Sequence, residues 1–326
     1  MRIIFHGENA ASFSQDFREL VDAGADIRIL PDALNDEADR RAYAEADVII
    51  GVRFDGTLPR PQGLKLFHVP GAGYDAVDLA ALPSGTNVCN CFGHEQAIAE
   101  YVMSALLERH IPLADADRRL RQGDWAYWAG APDRIHGEIV GRTIGLLGFG
   151  HIGKAIAKRA KAFEMGVHVA NRSPVAVSEL VDRAFTLDRL DDFWGSADAI
   201  VVSLPLTAET KGLVAEAAFT AMRPDAVIFN VGRGPIIDEA ALYAALKQNR
   251  IGGAVIDTWY RYPGSADANP LPANLPFHEL PNIVMTPHMS GWTGGTIRRR
   301  QQTIADNIRR SAAGEPLVNL VRAAKA

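Results

Sequence analysis

Cysteine is nearly missing from this chain of 326 residues, Cys89 and Cys91 being the only two. Separated by one residue, they are too constrained for an ordinary disulfide and too few for a zinc site, so no metal is expected. Buried, reduced thiols in a cytoplasmic protein are the expectation. Long apolar runs are missing too. No stretch approaches the roughly 18 residues of a membrane span, and Met1-Arg-Ile-Ile-Phe5 enters a strand-like run with no signal-peptide apolar region. An excess of positive charge is also lacking. Lys and Arg number 34 against 39 Asp and Glu, a net charge of −5, which excludes a general attraction to nucleic acid or to an anionic membrane. Internal repeats and low-complexity tracts are absent as well. What remains, 48% hydrophobic and 22% charged residues, is the balance of a soluble globular protein with material for two domains and two cores.

Short apolar runs alternate with helix-competent polar segments along most of the chain. Arg2–Phe5, Asp26–Leu30, Asp47–Val52 and Leu64–Val69 read as strands, with helices expected over Phe13–Ala23 and Asp36–Ala46. That alternation implies a parallel sheet covered by helices. A long apolar helix is expected from His94 to Arg109. Trp125, Tyr127 and Trp128 then follow in a polar setting, read either as interface aromatics or as core. The alternation resumes with strands at Thr143–Leu147, Val167–Ala170, Ala199–Ser203, Ala226–Asn230, Gly253–Asp257 and Ile283–Thr286. Asp238-Glu239 reads as a helix start, and the segment from Gly294 to Gly314 as a helix with a solvated basic face.

Between the first two of these later strands lies Gly148-Phe-Gly150-His151-Ile152-Gly153, followed by a segment with helical periodicity. The first glycine permits a tight turn, the second lets the backbone approach a pyrophosphate, and the third lets helix and strand pack closely. Strand, glycine turn, helix and second strand together read as a dinucleotide site. A further absence then bears on the cofactor. An NAD site normally carries Asp or Glu about 20 residues past the glycines, but here Asn171-Arg172-Ser173 ends the second strand, with no carboxylate before Glu179. A guanidinium with a hydroxyl binds a 2′-phosphate, so NADP(H) is favoured; with Arg172 as a solvated loop residue, NAD(H) is the alternative.

Arg233, Asp257 and His288 stand at or just past the carboxyl ends of expected strands of one sheet, the edge along which a nicotinamide lies. The glycines flanking Arg233 suggest close approach of the backbone to a ligand. A guanidinium there suits the carboxylate and keto oxygen of a 2-oxo acid, and His288 suits proton donation to the carbonyl.

Five motifs resemble those of the D-isomer-specific 2-hydroxyacid dehydrogenase family, which includes phosphoglycerate dehydrogenases and glyoxylate/hydroxypyruvate reductases. They are Gly71-Ala-Gly-Tyr-Asp75, Gly148–Gly153, Leu204-Pro-Leu-Thr-Ala-Glu-Thr-Lys-Gly-Leu213, Asn230-Val-Gly-Arg-Gly234 with Asp238-Glu239, and Thr286-Pro-His288. The resemblance implies an α/β fold of two Rossmann-like, doubly wound parallel-sheet domains. The substrate (flavodoxin-like) domain would be discontinuous, at residues 1–95 and 292–326, with the dinucleotide-binding domain at 96–291. It further implies that Arg233 orients the substrate, that His288 is the acid/base, and that the backbone of Ala72-Gly73 binds the substrate carboxylate. Asp257 would hold the nicotinamide carboxamide. Leu204, Pro205, Thr210, Val231, Gly232 and Gly291 would join the glycine turn, Asn171, Arg172 and Ser173 around the cofactor. A homodimer involving the helix after His94 is implied as well.

The sequence departs from the family at the Glu that supports the catalytic histidine. Without a gap, Tyr262 takes that position; with an insertion, Asn269 does, 19 residues before His288. Neither carries the charge that stabilises an imidazolium, so the His288 pKa is expected to lie below that of Glu-bearing relatives. The expected activity is reduction of a small 2-oxo acid, such as glyoxylate or hydroxypyruvate, to its D-2-hydroxy acid. Arg53, Phe54, Tyr74 and Trp292 are the candidate positions for reading the substrate side chain, and one sequence does not rank them. The alternatives are a formate- or phosphite-type hydride transferase without proton relay, and a non-enzymatic NAD(P)-sensing regulator.

Overall fold

A computed structural model describes residues 1–130, 134–264 and 269–325. The strands in chain order are β1 (Arg2–His6), β2 (Asp26–Leu30), β3 (Val48–Gly51), β4 (Leu66–His68), β5 (Asn87–Cys89), β6 (Thr143–Leu147) and β7 (Gly166–Asn171). They continue as β8 (Arg183–Thr186), β9 (Ala199–Val202), β10 (Val227–Asn230), β11 (Gly253–Ile256), β12 (Ile283–Met285) and β13 (Leu320–Arg322). The helices used below are α1 (Glu37–Ala44), α2 (Glu95–His110), α3 (Leu113–Leu120), α4 (His151–Ala162), α5 (Glu239–Lys247) and α6 (Gly294–Ala313).

Two compact units result, Met1–Gly93 with Thr293–Ala326, and His94–Trp292. In the first, the strand order is β2-β1-β3-β4-β5-β13, parallel except for β13 against β5. This is the flavodoxin-like order, closed by one antiparallel edge strand. Its sheet is buried on both faces, by Phe5, Phe13, Phe17 and Ile304 on one side and by Tyr43, Ile49 and Phe67 on the other. In the second unit the order is β8-β7-β6-β9-β10-β11-β12, all parallel. Outward from β6 this is the doubly wound dinucleotide order, with its switch point between β6 and β9. Strands covered on both faces must be apolar throughout, which is why β6, β9, β10 and β11 read as unbroken apolar runs.

The expected helix over Phe13–Ala23 is instead a tight 3₁₀ turn at Phe17–Leu20, preceded by Asp16 in the left-handed region (φ 57°). Phe13 and Phe17 mimic a helical spacing because both fill the core. The Ser14 hydroxyl meanwhile donates to the Ala11 carbonyl at 2.7 Å, competing with a helical ladder. By contrast α1 starts where expected, with the Asp36 carboxylate capping the Ala38 N–H at 2.6 Å. Both cysteines are free and buried, and burial pushes each thiol up to about 12. Trp125 and Trp128 are exposed rather than core residues. Among the described residues, no helix is long and apolar enough to cross a membrane.

Candidate functional site

The glycine turn lies at the switch point. Gly148 follows β6 with φ 104°, which the turn requires. A Cβ on Gly150 would meet nothing within 4 Å, leaving the backbone open ahead of α4. A Cβ on Gly153 would lie 2.4 Å from the Gly148 carbonyl oxygen, so only glycine lets the helix start so close to the turn. His151 and Ile152 occupy the first turn of α4, a 12-residue helix whose N-terminal N–H groups favour phosphate. These residues fit a dinucleotide.

At the end of β7 the Asn171 side chain bridges the two loops. Its Oδ1 accepts from the Phe149 N–H at 3.3 Å, and its Nδ2 donates to the Ser173 carbonyl at 2.9 Å. Arg172 and Ser173 are exposed beside it, and Arg172 helps hold the Glu209 carboxyl below its usual range, behind the larger pull of hydrogen bonds from the Thr207 hydroxyl and the backbone. Thr210 braces the turn after β9, with its hydroxyl donating to the Pro205 carbonyl at 2.7 Å and accepting from the Thr207 N–H at 2.8 Å.

Farther along the same edge, β10 ends in a turn shaped by Asn230, whose Oδ1 accepts from the Gly232 N–H and whose Nδ2 donates to the Arg233 carbonyl. Val231 is buried beneath it. The two glycines around Arg233 have a packing role. A Cβ on Gly232 would lie 2.8 Å from the Leu204 carbonyl, and one on Gly234 would lie 2.2 Å from that of Trp259. Both glycines thus allow close passage between neighbouring chain segments, with Arg233 held half-buried.

His288 follows β12 in the left-handed region (φ 59°), a conformation costing a non-glycine residue about 1 kcal/mol. Asp257, fully buried after β11, holds this turn. Its Oδ1 accepts from the Thr286 hydroxyl at 2.6 Å and from the Met289 N–H at 2.8 Å, and its Oδ2 accepts from the Ser290 N–H at 3.0 Å. The Trp259 indole adds a bond to the Thr286 carbonyl at 2.7 Å. On the imidazole, Tyr262 Oη lies 3.1 Å from Nδ1, and the same oxygen accepts from the Trp259 N–H at 3.1 Å. Partial burial pushes the Tyr262 phenol above its ordinary value, against the pull of the Trp259 amide and of Arg233. A neutral phenol can donate to Nδ1 or accept from Nδ1–H, so it orients both tautomers without adding charge. Asn269 lies beyond the undescribed segment 265–268. Gly291 approaches α2, where a Cβ would come within 3.2 Å of the His94 Cβ, a packing requirement.

In the first unit, the Gly71–Asp75 loop leaves the carboxyl end of β4. The Asn90 side chain holds the Ala72 carbonyl at 2.7 Å, and the Cys91 N–H holds that of Gly71 at 2.9 Å, which fixes the backbone around Ala72 and Gly73.

Sequence reasoning missed Trp259 as the clamp on Thr286. An indole beside a motif Asp carries no chemical signature of its own, and only the path of the chain brings it under the turn. Among the described residues, no group of three His, Cys, Asp or Glu side chains gathers as a metal site.

A family model for the D-isomer specific 2-hydroxyacid dehydrogenase, NAD binding domain, matches residues 103–290. The glycerate dehydrogenase of Methylorubrum extorquens is 34% identical over 271 residues, 80% of either chain. The chain spans about half the length of the D-3-phosphoglycerate dehydrogenases among its curated relatives. A 2-hydroxyacid dehydrogenase family protein from Aeromonas salmonicida shares the fold with a TM-score of 0.82 at 27% identity, over 98% of both chains. An acyclic imino acid reductase solved with NADPH and D-Arg follows at 0.78 and 27%, covering 99% of this chain and 100% of that one. With this fold, this glycine turn and these matches, the chain belongs to the D-isomer specific 2-hydroxyacid dehydrogenase family.

Proposed function

We propose that this protein reduces a small 2-oxo acid to its D-2-hydroxy acid with a nicotinamide cofactor, preferring NADP(H) to NAD(H). One observation carries the reading: Arg233, Tyr262 and His288 follow β10, β11 and β12, three adjacent strands, and so share one sheet edge with the glycine turn. Gly148–Gly153 would hold the cofactor, which would supply the hydride. Arg233 grips the substrate carboxylate and carbonyl oxygen and stabilises the charge developing on that oxygen. His288 delivers a proton from Nε2 to the same oxygen, with its ring held through Nδ1 by Tyr262. Arg172 and Ser173, in place of a carboxylate, support the NADP(H) preference.

The test is a panel of glyoxylate, hydroxypyruvate, pyruvate and bulkier 2-oxo acids, with formate and phosphite as controls, each with NADPH and NADH. Turnover of a 2-oxo acid, faster with NADPH, is expected. Replacing Arg233 with Ala should cost on the order of 10²-fold in kcat/KM. Tight nucleotide binding without turnover of any 2-oxo acid would replace this reading with that of a cofactor-sensing regulator.

A second reading is favoured by the phenol at Nδ1. Because the phenol puts no charge at Nδ1 to favour an imidazolium, the pair also suits a protonated imine, formed from a 2-oxo acid and an amine, which accepts hydride without needing a proton. The imino acid reductase among the structural neighbours supports it. Pyruvate with methylamine, yielding an N-methyl amino acid faster than pyruvate alone yields lactate, would decide for it.

A homodimer accompanies the proposal. Leu113 and Leu120 of α3, with Trp125 and Trp128 beyond it, expose apolar surface within one short stretch of chain. Sedimentation equilibrium reads the mass directly, and a monomer at micromolar concentration would exclude it.

A further inference from the structure

Tyr101 lies on α2, outside every motif that marks the site. Its ring is half-buried, and its hydroxyl sits 2.7 Å from Thr286 Oγ1. The direction of that bond follows from the next one. Thr286 has a single hydroxyl proton and gives it to the Asp257 carboxylate, which only accepts. Tyr101 is therefore the donor, and a directed chain runs from Tyr101 O–H to Thr286 O–H to Asp257. The carboxylate at its end also receives the N–H groups of Met289 and Ser290, on the far side of His288. The left-handed His288 thus lies inside a loop of hydrogen bonds closed by Asp257 and backed by α2. The same helix is fixed to the cofactor helix α4 by Arg159 Nη2 donating to Glu100 Oε1 at 2.9 Å, one residue before Tyr101.

We infer that Tyr101 is a positioning residue for the reaction: through Thr286 and Asp257 it holds the strained His288 turn so that Nε2 meets the substrate oxygen. Removing its hydroxyl leaves Thr286 with an unfilled acceptor in a half-buried place and lets the hydroxyl rotate away from Asp257. The turn then loses its brace, and the fraction of time the imidazole spends in line falls. Because neither Tyr101 nor Thr286 touches substrate or cofactor in this scheme, the loss belongs to kcat.

The inference rests on the 2-oxo acid reductase reading, so its test has one arm that needs no turnover. In Tyr101→Phe, kcat should fall roughly 3- to 10-fold, with KM for the 2-oxo acid and for NADPH unchanged within about twofold. Thr286→Ser, which keeps the hydroxyl, should hold wild-type kcat, whereas Thr286→Val should lose more than Tyr101→Phe. Adding Tyr101→Phe to Thr286→Val should then cost nothing further. Independently of activity, the Met289 and Ser290 amides should exchange with deuterium several-fold faster in Tyr101→Phe, while amides of β6 and β9 keep their protection. An unchanged kcat, equal rises in KM and losses in kcat, additive effects in the double variant, or unchanged exchange at Met289 and Ser290 would each overturn it. If Tyr101→Phe fails to fold, the contrast between Thr286→Ser and Thr286→Val decides. A wild type with no turnover but the expected exchange change would refute the activity while leaving the clamp standing.

Discussion

Two histidines at strand ends, one in each unit, have opposite surroundings. His68 ends β4 and is fully buried. The Asn307 amide is pinned at both ends by Val318, accepting its N–H at 2.8 Å and donating to its carbonyl at 2.9 Å, so the nitrogen end of the amide is unambiguous. That nitrogen also donates to His68 Nε2 at 3.0 Å, which places the ring proton on Nδ1, directed at the Val69 carbonyl 3.2 Å away. Burial lowers the His68 pKa to about 4. His288, three residues past β12, is exposed, is twisted into a left-handed turn, and has its Nδ1 met by a phenol. The same imidazole is a neutral packing element in one place and a candidate acid in the other. Burial and saturation of both nitrogens make the first inert, whereas the second stands at the exposed end of a strand with a phenol at Nδ1.

The largest effect that would break this contrast is at His288. Its replacement by Ala should lower kcat/KM by on the order of 10²- to 10⁴-fold while thermal unfolding stays within a few degrees; a variant retaining a tenth of wild-type activity would remove His288 from the acid role. The mirror substitution, Asn307→Leu, strips His68 Nε2 and the Val318 backbone of their partners. It should cost about 2–4 kcal/mol of stability, read from urea unfolding, while turnover per folded molecule is preserved.

Acid sharpens the same division. Because the folded pKa of His68 lies near 4 and the ordinary value is 6.5, the unfolded chain binds more protons between those limits, and stability falls as pH drops through that window. Unfolding followed at pH 8 and pH 5 should show a loss of about 2 kcal/mol from this residue. A His68→Phe variant should lack that increment, and one that keeps the full pH dependence would assign it elsewhere.

The smallest expected change concerns the phenol. Tyr262→Glu puts a carboxylate at Nδ1, which favours the imidazolium and raises the pKa of His288. Reduction needs the protonated acid and fades as pH rises through that pKa, so its alkaline limb should move up by about one pH unit. A limb that stays in place would show that Tyr262 does not govern the protonation of His288.

Much of this was legible in the chain itself. Apolar runs such as Ile144–Leu147 and Ile228–Phe229 had to be strands covered on both faces, and Gly148 and Gly153 each have the local reason that their spacing implied. Short or edge strands, β5, β8 and β13, were not legible, because three or four residues carry too little periodicity and their pairing is set by neighbours distant in sequence. The helix expected at Phe13–Ala23 failed for a related reason, since core packing reproduced a helical spacing without a helix.

At the site the division is sharper. Sequence alone determined the chemistry: a guanidinium between glycines, an imidazole after Thr-Pro, a glycine turn without a following acid, and no Glu where the family has one. Tertiary structure decided which group meets Nδ1, why Arg233 has glycines beside it, and that Asp257, Thr286, Trp259 and Tyr101 together hold the His288 turn. Residue types and their spacing fix local backbone preferences and reactivity. A hydrogen bond from α2 to β12, across 185 positions of sequence, exists only once the sheet has brought those elements together.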